Sequence, residues 1–191
     1  WFNGIRSMLL AILILTLAWA IGSVTNEMRT ADYIISLISQ SIDPRFLPVI
    51  VFAICGLISF ATGTSWGTMA IIFPIVIPLS AAVTQMNNYS PEDTHLILIG
   101  VVSSVLAGCV WGDHCSPISD TTILSSMASS CDHIDHVRTQ LVYAVSVAVV
   151  TMLIGDILTA FGLSPYIALL LIAAVLIGVV FVFGKRVDVD S

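Results

Sequence analysis

The most informative stretch of the sequence is WGDHCSPISDTT, which runs from Trp111 to Thr122. It contains two carboxylates, an imidazole, a thiol and several hydroxyl groups, and apolar runs flank it at 96–110 and from 123 onward. Ionisable side chains inside a hydrophobic run of membrane length are costly, and where they occur they are typical of functional sites. The stretch therefore predicts an ion-coordinating break in a membrane helix.

The composition of the whole chain places that break in an integral membrane protein. Of the 191 residues, 58% are hydrophobic and 9% are charged, whereas a soluble domain is about 25% charged. Apolar runs of roughly 20 residues recur, which is the length of a membrane-spanning helix and far exceeds the ~10-residue strands of a membrane barrel. We therefore expect an all-α, polytopic helical bundle with broken or re-entrant helices.

The charge balance and the short loops exclude several classes of function. The chain has six basic and twelve acidic residues, for a formal net charge of −6, so it has no basic surface for nucleic acid. The loops between the apolar runs leave no room for a soluble catalytic domain. We therefore expect neither an enzyme nor a bound cofactor, and the lipid bilayer as the surroundings.

The apolar runs predict one transmembrane domain over residues 1–191. Its segments cover about 7–25, 46–83 with a break near 62–68, 96–130 with a break near 112–121, 140–161 and 165–183, and residues 30–42 predict an interfacial helix. The broken segment 46–83 is compatible with a re-entrant hairpin or with one long crossing. Because the chain begins at Trp1 without an initiator Met or a signal segment, it is interpreted as the C-terminal fragment of a longer transporter.

The break in the second segment is ATGTSWGT, residues 61–68, where glycines and hydroxyl residues interrupt an apolar run. Irregular backbone at membrane depth is tolerated only where it is buried in protein or lines a cavity. The alternative is a kink whose hydroxyl groups bond back to helix carbonyls. On the first interpretation, Thr62, Thr64 and Ser65 lend neutral oxygen ligands to an ion site.

The break in the third segment offers the charged oxygens. A broken helix exposes carbonyls at the end of its first half and amides at the start of its second half, and these suit a cation and an anion respectively. Hard cations prefer oxygen ligands, and the candidates for sodium are Asp113, Asp120, Ser116, Ser119, Thr121 and Thr122, with Asp120 or Ser119 also able to cap the second half. A buried carboxylate without its cation takes up a proton. Competition between sodium and protons for Asp113 and Asp120, combined with alternating access, is an antiport mechanism.

Other interpretations of these side chains stay open. Asp113 and His114 could instead hold a loop together, and His114 could serve as a proton relay, support a ligand or pack. A soft-metal site for zinc or copper(I) would use Cys109, His114, Cys115 and Asp113, although the adjacent His114 and Cys115 are awkwardly spaced for chelation. A Ser/His/Asp hydrolase is disfavoured because near neighbours in one loop cannot form the required chain of hydrogen bonds.

Two other polar regions lie outside this stretch. Asp156, toward one end of the fourth segment, could reach the interface or be functional. The acidic, histidine-containing stretch 132–136 is interpreted as a solvated loop.

Three stretches together resemble one known family. GCVWGDHCSPISDTTILSS (Gly108 to Ser126), LTLAWAIGSV (Leu15 to Val24) and FATGTSWGTMAIIFPIVIPL (Phe60 to Leu79) are similar to the C-terminal half of the NhaC-type sodium/proton antiporters. The resemblance implies a multi-pass protein of the inner, cytoplasmic membrane within the ion transporter superfamily. It also implies that this chain is one half of an inverted-repeat transporter, with the breaks at 63–68 and 113–122 supplying its share of the cation site.

The same resemblance implies the partners and the activity. The expected activity is exchange of sodium ions for protons, and a missing N-terminal half or a second copy would complete the site. Members of the family are also similar to exchangers that couple malate to lactate. The alternative is therefore sodium- or proton-coupled exchange of small organic anions or amino acids.

Overall fold

The computed structural model describes residues 43–184 together with Thr16, Ala20, Ser23, Val24, Glu27 and Met28. The predicted first segment (7–25) and interfacial helix (30–42) lie outside the continuous part that it describes. Within residues 43–184 the helices are α1 (Leu47–Thr62, after a 3₁₀ turn Pro44–Phe46), α2 (Ser65–Met86), α3 (Pro91–Cys115), α4 (Asp120–Ala128), α5 (His133–Val150, continued by a π-helical turn Thr151–Ile157 and Leu158–Ala160) and α6 (Pro165–Phe183), and this part contains no strand. The predicted all-α fold is confirmed.

Five of these helical stretches are long and apolar enough to cross a membrane. They are Pro44–Thr62, Ser65–Met86, Pro91–Cys115, His133–Ala160 and Pro165–Phe183, with mean hydropathies between 1.9 and 3.0. At 1.5 Å per residue even the shortest of them extends over about 28 Å, close to the thickness of the hydrocarbon core. The protein is therefore a multi-pass membrane protein, as the apolar runs predict.

Two helices begin earlier than the apolar runs predict, because polar residues cap them. Helix α3 begins at Pro91 rather than near 96, and the Ser90 hydroxyl accepts a hydrogen bond from the Asp93 amide at 3.1 Å. Helix α5 begins at His133 rather than near 140, and the Asp132 carboxylate accepts the amides of Ile134 and Asp135. A cap and a first-turn proline start a helix whether or not the first turn is apolar.

Helices α1 and α2 form a hairpin, so segment 46–83 turns back on itself. At its tip Gly63 adopts a left-handed conformation (φ +67°) that ends α1, and the Thr64 hydroxyl accepts the Gly67 amide to begin α2. At its base the Tyr89 hydroxyl donates to Asp43 Oδ1 at 2.7 Å, which places the end of α2 beside the start of α1. Burial raises the pKa of Asp43, but hydrogen bonds from the Arg45 amide and the Tyr89 hydroxyl outweigh it and hold that pKa below its usual value.

Helix α3 packs parallel to α1 at backbone contact. A Cβ on Gly112 would lie 2.2 Å from the Gly56 carbonyl oxygen, and a Cβ on Gly108 would lie 2.6 Å from that of Phe52. Small residues of this kind allow membrane helices to approach closely. Apolar side chains of α1, α2 and α3 form the core around this contact: Leu47, Val51, Cys55, Ile72, Val76, Leu79, Val83, Ile97, Val101, Val105 and Cys109.

Helix α5 runs antiparallel along α3, and α6 packs outside it. The Trp111 indole N–H donates to the Ala144 carbonyl at 2.8 Å, and Ser104 bonds to Asp156 further along the same pair of helices. The stretches His133–Ala160 and Pro165–Phe183 are each only 6% buried within the described residues. Their apolar side chains face outward, as the side chains of membrane helices do.

Gly112→Ala should destabilise the protein, because the new methyl group overlaps a carbonyl that cannot move without separating α1 from α3. Overpacking of this kind costs about 1–3 kcal/mol. We expect a lower midpoint of thermal unfolding for the purified full-length protein in detergent. Gly178→Ala is the matched control, since a Cβ there meets nothing within 4 Å. Equal midpoints for the two variants would contradict the close contact.

Candidate ion-binding site

The breaks predicted in two separate segments lie side by side. The Ser116 hydroxyl donates to the Phe60 carbonyl at 2.8 Å. A Cβ on Gly63 would lie 3.1 Å from the backbone of Ile118. This juxtaposition follows from the parallel packing of α1 and α3, because both helices end at the same level. The tip of the α1–α2 hairpin therefore contacts the link between α3 and α4.

Asp113 bridges the two breaks. It lies in the last turn of α3, and the Ser65 hydroxyl donates to its Oδ2 at 3.0 Å. Ser65 is the buried first residue of α2, so the carboxylate faces a helix N-terminus, where a negative charge is favoured. The other oxygen, Oδ1, is buried and has no hydrogen-bond partner among the described residues. A buried polar atom of this kind is rare in proteins, and a cation or a proton would satisfy it.

Several hydroxyl groups of both breaks donate their hydrogens to oxygen acceptors. Those that donate to backbone carbonyls are Thr62 to Ile58, Thr68 to Thr64, Ser116 to Phe60 and Thr122 to His114. The hydroxyls of Ser119 and Thr121 bond to each other at 2.8 Å. A hydroxyl that donates keeps oxygen lone pairs for another partner. These groups could thus both hold the irregular backbone and present neutral oxygen atoms to a cation.

Asp120 has different surroundings from Asp113. It is exposed as the first residue of α4, while Ser119 occupies the N-cap position without a capping hydrogen bond. Of the two cap candidates, Ser119 therefore holds the position, and Asp120 contributes a favourable charge to the first turn. Within the described residues, Asp113 is the carboxylate that contacts the first break.

Gln140 is a polar neighbour of the site that was not predicted from the sequence. Its amide nitrogen lies 2.7 Å from His114 Nε2 and donates to the His114 carbonyl at 2.9 Å. Its Oε1 is buried without a hydrogen-bond partner among the described residues. The signal in the sequence was a neutral amide at the start of a predicted membrane segment. It is easily missed because Gln carries no charge.

The stretch 132–136 begins α5 instead of forming a solvated loop, and its histidines hold α4 in place. The nearest nitrogens of His133 and His136 lie 3.0 and 2.8 Å from the Ser126 hydroxyl. The other ring nitrogen of His133 lies 2.7 Å from the Pro117 carbonyl. This network ties α5 to both the second break and α4.

The described residues contain no cluster of His, Cys, Asp and Glu side chains of the kind that holds a metal ion. Among residues 43–184 and the few described before them, no three His, Cys, Asp or Glu side chains converge. The thiols of Cys55, Cys109, Cys115 and Cys131 are free. The soft-metal interpretation of Cys109, His114 and Cys115 thus finds no support in this part of the chain.

The structure has irregular backbone at two neighbouring helix breaks, which meet at one carboxylate within a bundle of membrane helices. This arrangement is typical of ion-coupled secondary transporters. Comparison with known proteins gives the family. The model of the Na+/H+ antiporter family matches residues 1–163, and the chain belongs to that family. The predicted resemblance is confirmed, and it groups the chain with transporters rather than enzymes.

Curated relatives agree with this family. The chain is 46% identical over 186 residues to an uncharacterized protein of Haemophilus influenzae, covering 97% of this chain and 34% of that protein. It is 29% identical over 155 residues to the malate-2H(+)/Na(+)-lactate antiporter of Bacillus subtilis, covering 80% and 30%. It is 31% identical over 98 residues to an uncharacterized Na(+)/H(+) antiporter of H. influenzae, covering 51% and 19%. The chain thus spans about a third or less of these relatives. No solved structure matches it.

Ser126→Ala should loosen the link between α4 and α5, because both histidines lose the oxygen they share. A hydrogen bond contributes about 1 kcal/mol net, so we expect amide hydrogen exchange across residues 129–136 to accelerate by about thirtyfold when both contacts are lost. The exposed neighbour substitution Ser125→Ala is the matched control. Unchanged exchange in Ser126→Ala, measured by mass spectrometry, would argue against the network.

Proposed function

We propose that this chain supplies the carboxylate at which sodium ions and protons compete in a sodium/proton antiporter of the cytoplasmic membrane. The observation that carries the proposal is the asymmetry of Asp113. One oxygen accepts the Ser65 hydroxyl, while the other is buried without a partner among the described residues. Membership in the Na+/H+ antiporter family supports the same activity.

The competition follows from the chemistry of that one oxygen. With sodium bound, Asp113 Oδ1 and neighbouring hydroxyl and carbonyl oxygens replace part of the ion's hydration shell. When sodium is absent, a proton from water binds the same oxygen instead. Both ligands neutralise the same charge, and one leaves when the other binds. In this mechanism the transported ion completes the site. Neutral oxygen ligands for sodium come from the two breaks: Thr62, Thr64, Ser65 and the stretch 116–122.

We also propose that residues outside this chain complete the transport pathway. The chain spans about a third or less of the relatives that it matches. An N-terminal half with its own helix breaks, or a second copy of this half, would enclose the ion from the other side. Experiments on activity therefore require the full-length protein.

Asp113→Asn should abolish sodium-driven proton flux in everted vesicles that contain the full-length protein. The reason is that an amide has no negative charge to balance the sodium ion and does not take up a proton in its place.

Ser65→Ala removes a hydrogen bond to a charged group, which is worth about 1.5–3 kcal/mol. We therefore expect it to raise the sodium concentration for half-maximal flux by about tenfold or more.

Two further substitutions test whether the effect is specific to the site. Glu92→Gln, at an exposed position in the first turn of α3, should leave the flux unchanged. Asp120→Asn should reduce it less than Asp113→Asn, since Asp120 is exposed. Normal flux in Asp113→Asn would overturn the proposed role of Asp113.

The relative from B. subtilis, which is named a malate-2H(+)/Na(+)-lactate antiporter, favours a second candidate function. On that proposal an organic anion binds at the amide ends of α2 and α4, near Thr68 and Thr121, and a cation at Asp113 drives its exchange. Small dicarboxylates should then raise the thermal unfolding midpoint of the full-length protein in the presence of sodium, by an amount that depends on their concentration. Stabilisation by sodium alone, with none from dicarboxylates, would contradict this second function.

A further inference from the structure

A second polar feature lies inside the membrane region, away from the two helix breaks. A cavity of about 700 Å³ opens between α3, the π-helical turn and α6. Its polar lining includes Arg45, Tyr89 and Asp93 near the hairpin base, and Ser103 and Asp156 further in. The helix breaks lie at the opposite end of α3. The cavity is therefore a separate vestibule, which we define by these five residues.

Among the ionisable groups of this vestibule, Asp156 is the one that lies within α5 and contacts the middle of α3. It belongs to the π-helical turn Thr151–Ile157 and is half-buried, and its Oδ1 accepts the Ser104 hydroxyl at 3.1 Å. Among the described residues it forms no ion pair. Single π-helical turns occur frequently at functional sites. A carboxylate within a spanning helix is itself typical of a functional site.

The other charged and titratable groups lie toward the mouth of the vestibule. The Arg45 guanidinium lies 5.7 Å from the centre of the Tyr89 ring and 5.4 Å from that of Phe161, so two aromatic faces hold it. Asp93 faces the vestibule from the first turn of α3, and α6 contributes apolar side chains and Pro165. Asp156 thus shares the vestibule with one cation, one phenol and one carboxylate, and its described hydrogen-bond donor is Ser104.

We propose that Asp156 is a second proton-binding site, which exchanges protons with water in the vestibule. The step is simple: the carboxylate takes one proton from vestibule water to become a neutral acid and returns the same proton when the water becomes alkaline. A sodium ion would need several oxygen ligands around it. Asp156 contacts the uninterrupted middle of α3 through Ser104, away from the hydroxyl groups that cluster at the two helix breaks. A proton needs only one carboxylate oxygen.

The position along α3 separates this proton site from the sodium site. Ser104, which contacts Asp156, precedes Asp113 on α3 by about 14 Å at a rise of 1.5 Å per residue. The vestibule side of α3 can therefore hold a proton while the opposite end holds a cation. Proton binding at Asp156 stands on its own, and any part that it plays in exchange rests on the proposed antiport.

The test is the reaction of the full-length protein, in proteoliposomes, with a hydrophobic carbodiimide, which modifies protonated carboxyl groups. Mass spectrometry of the peptides then measures modification at Asp156 and Asp113 separately. We expect modification of Asp156 to fall by about tenfold for each further pH unit once the carboxyl group is mostly ionised, and to be insensitive to sodium. Modification of Asp113 should be suppressed by sodium. Asp156→Asn should remove the first signal and leave the second.

Ser104→Ala tests whether the Ser104 hydroxyl stabilises the charged form of Asp156, because a merely structural role of Ser104 would not change the pH profile of the modification. Losing the donor to the carboxylate disfavours the charged form, so the pH profile of Asp156 modification should shift to more alkaline pH, whereas Ser103→Ala, at the exposed neighbouring position, should shift it less. In a variant without the native cysteines, Ser103→Cys should also react with a membrane-impermeant maleimide, because the vestibule admits water.

The outcomes separate this proposal from the proposed function. Modification of Asp156 that depends on pH, without sodium protection at Asp113, would support the proton site and contradict the proposed antiport. Absence of modification at Asp156 at every pH, while Asp113 is modified and protected by sodium, would overturn the proton site alone. A Ser104→Ala profile identical to that of the unaltered protein would also overturn it.

Discussion

The backbone contact between α1 and α3 determines where the two helix breaks lie relative to each other. Gly108 and Gly112 let the two helices run parallel, with the carbonyls of α1 almost touching the glycine positions of α3. Because neither helix can slide without a clash, their ends stay level, and Ser65 at the start of α2 meets Asp113 in the last turn of α3. A small shift along the axis would separate the hydroxyl from the carboxylate. The candidate site is therefore set by helix packing rather than by loop conformation.

The irregular backbone at the two breaks is tolerated in a membrane only because its polar groups find partners. The Gly63 amide bonds to the Ser59 carbonyl at 2.8 Å, and the hydroxyls of Thr62, Ser116 and Thr122 donate to nearby carbonyls. These hydrogen bonds satisfy the polar groups that they join. Two side-chain oxygens near the breaks, Asp113 Oδ1 and Gln140 Oε1, are buried without a partner among the described residues. Asp113 Oδ1 is the one that belongs to a carboxylate, and the proposed cation would supply its missing partner.

The sequence was sufficient to locate both breaks and the carboxylate, because clustered Gly, Ser, Thr and Asp residues rarely occur within apolar runs unless the helix is interrupted there. It could not show that α2 returns beside α1, since a hairpin and a long crossing share the same pattern of apolar residues. It also treated Asp113 and Asp120 as equivalent. Their difference arises from packing: the α1–α2 tip covers Asp113, whereas Asp120 begins α4 at an exposed position. Gln140 was missed because its neighbour His114 comes from another helix.

On the two proposals made above, Asp113 and Asp156 bind different ligands although both are aspartates of the same helix bundle. Both carboxylates accept a single serine hydroxyl, from Ser65 and Ser104 respectively. Asp113 lies near the ends of α1 and α3 and beside the start of α2, where the hydroxyl groups of the two breaks are candidate ligands for a cation. Asp156 lies in a π-helical turn against the middle of an intact helix, where the carbonyls are already hydrogen-bonded within α3. An oxygen-rich helix break favours a metal cation and an uninterrupted helix wall favours a proton. The chemical division between the two sites therefore follows from where the helices are broken.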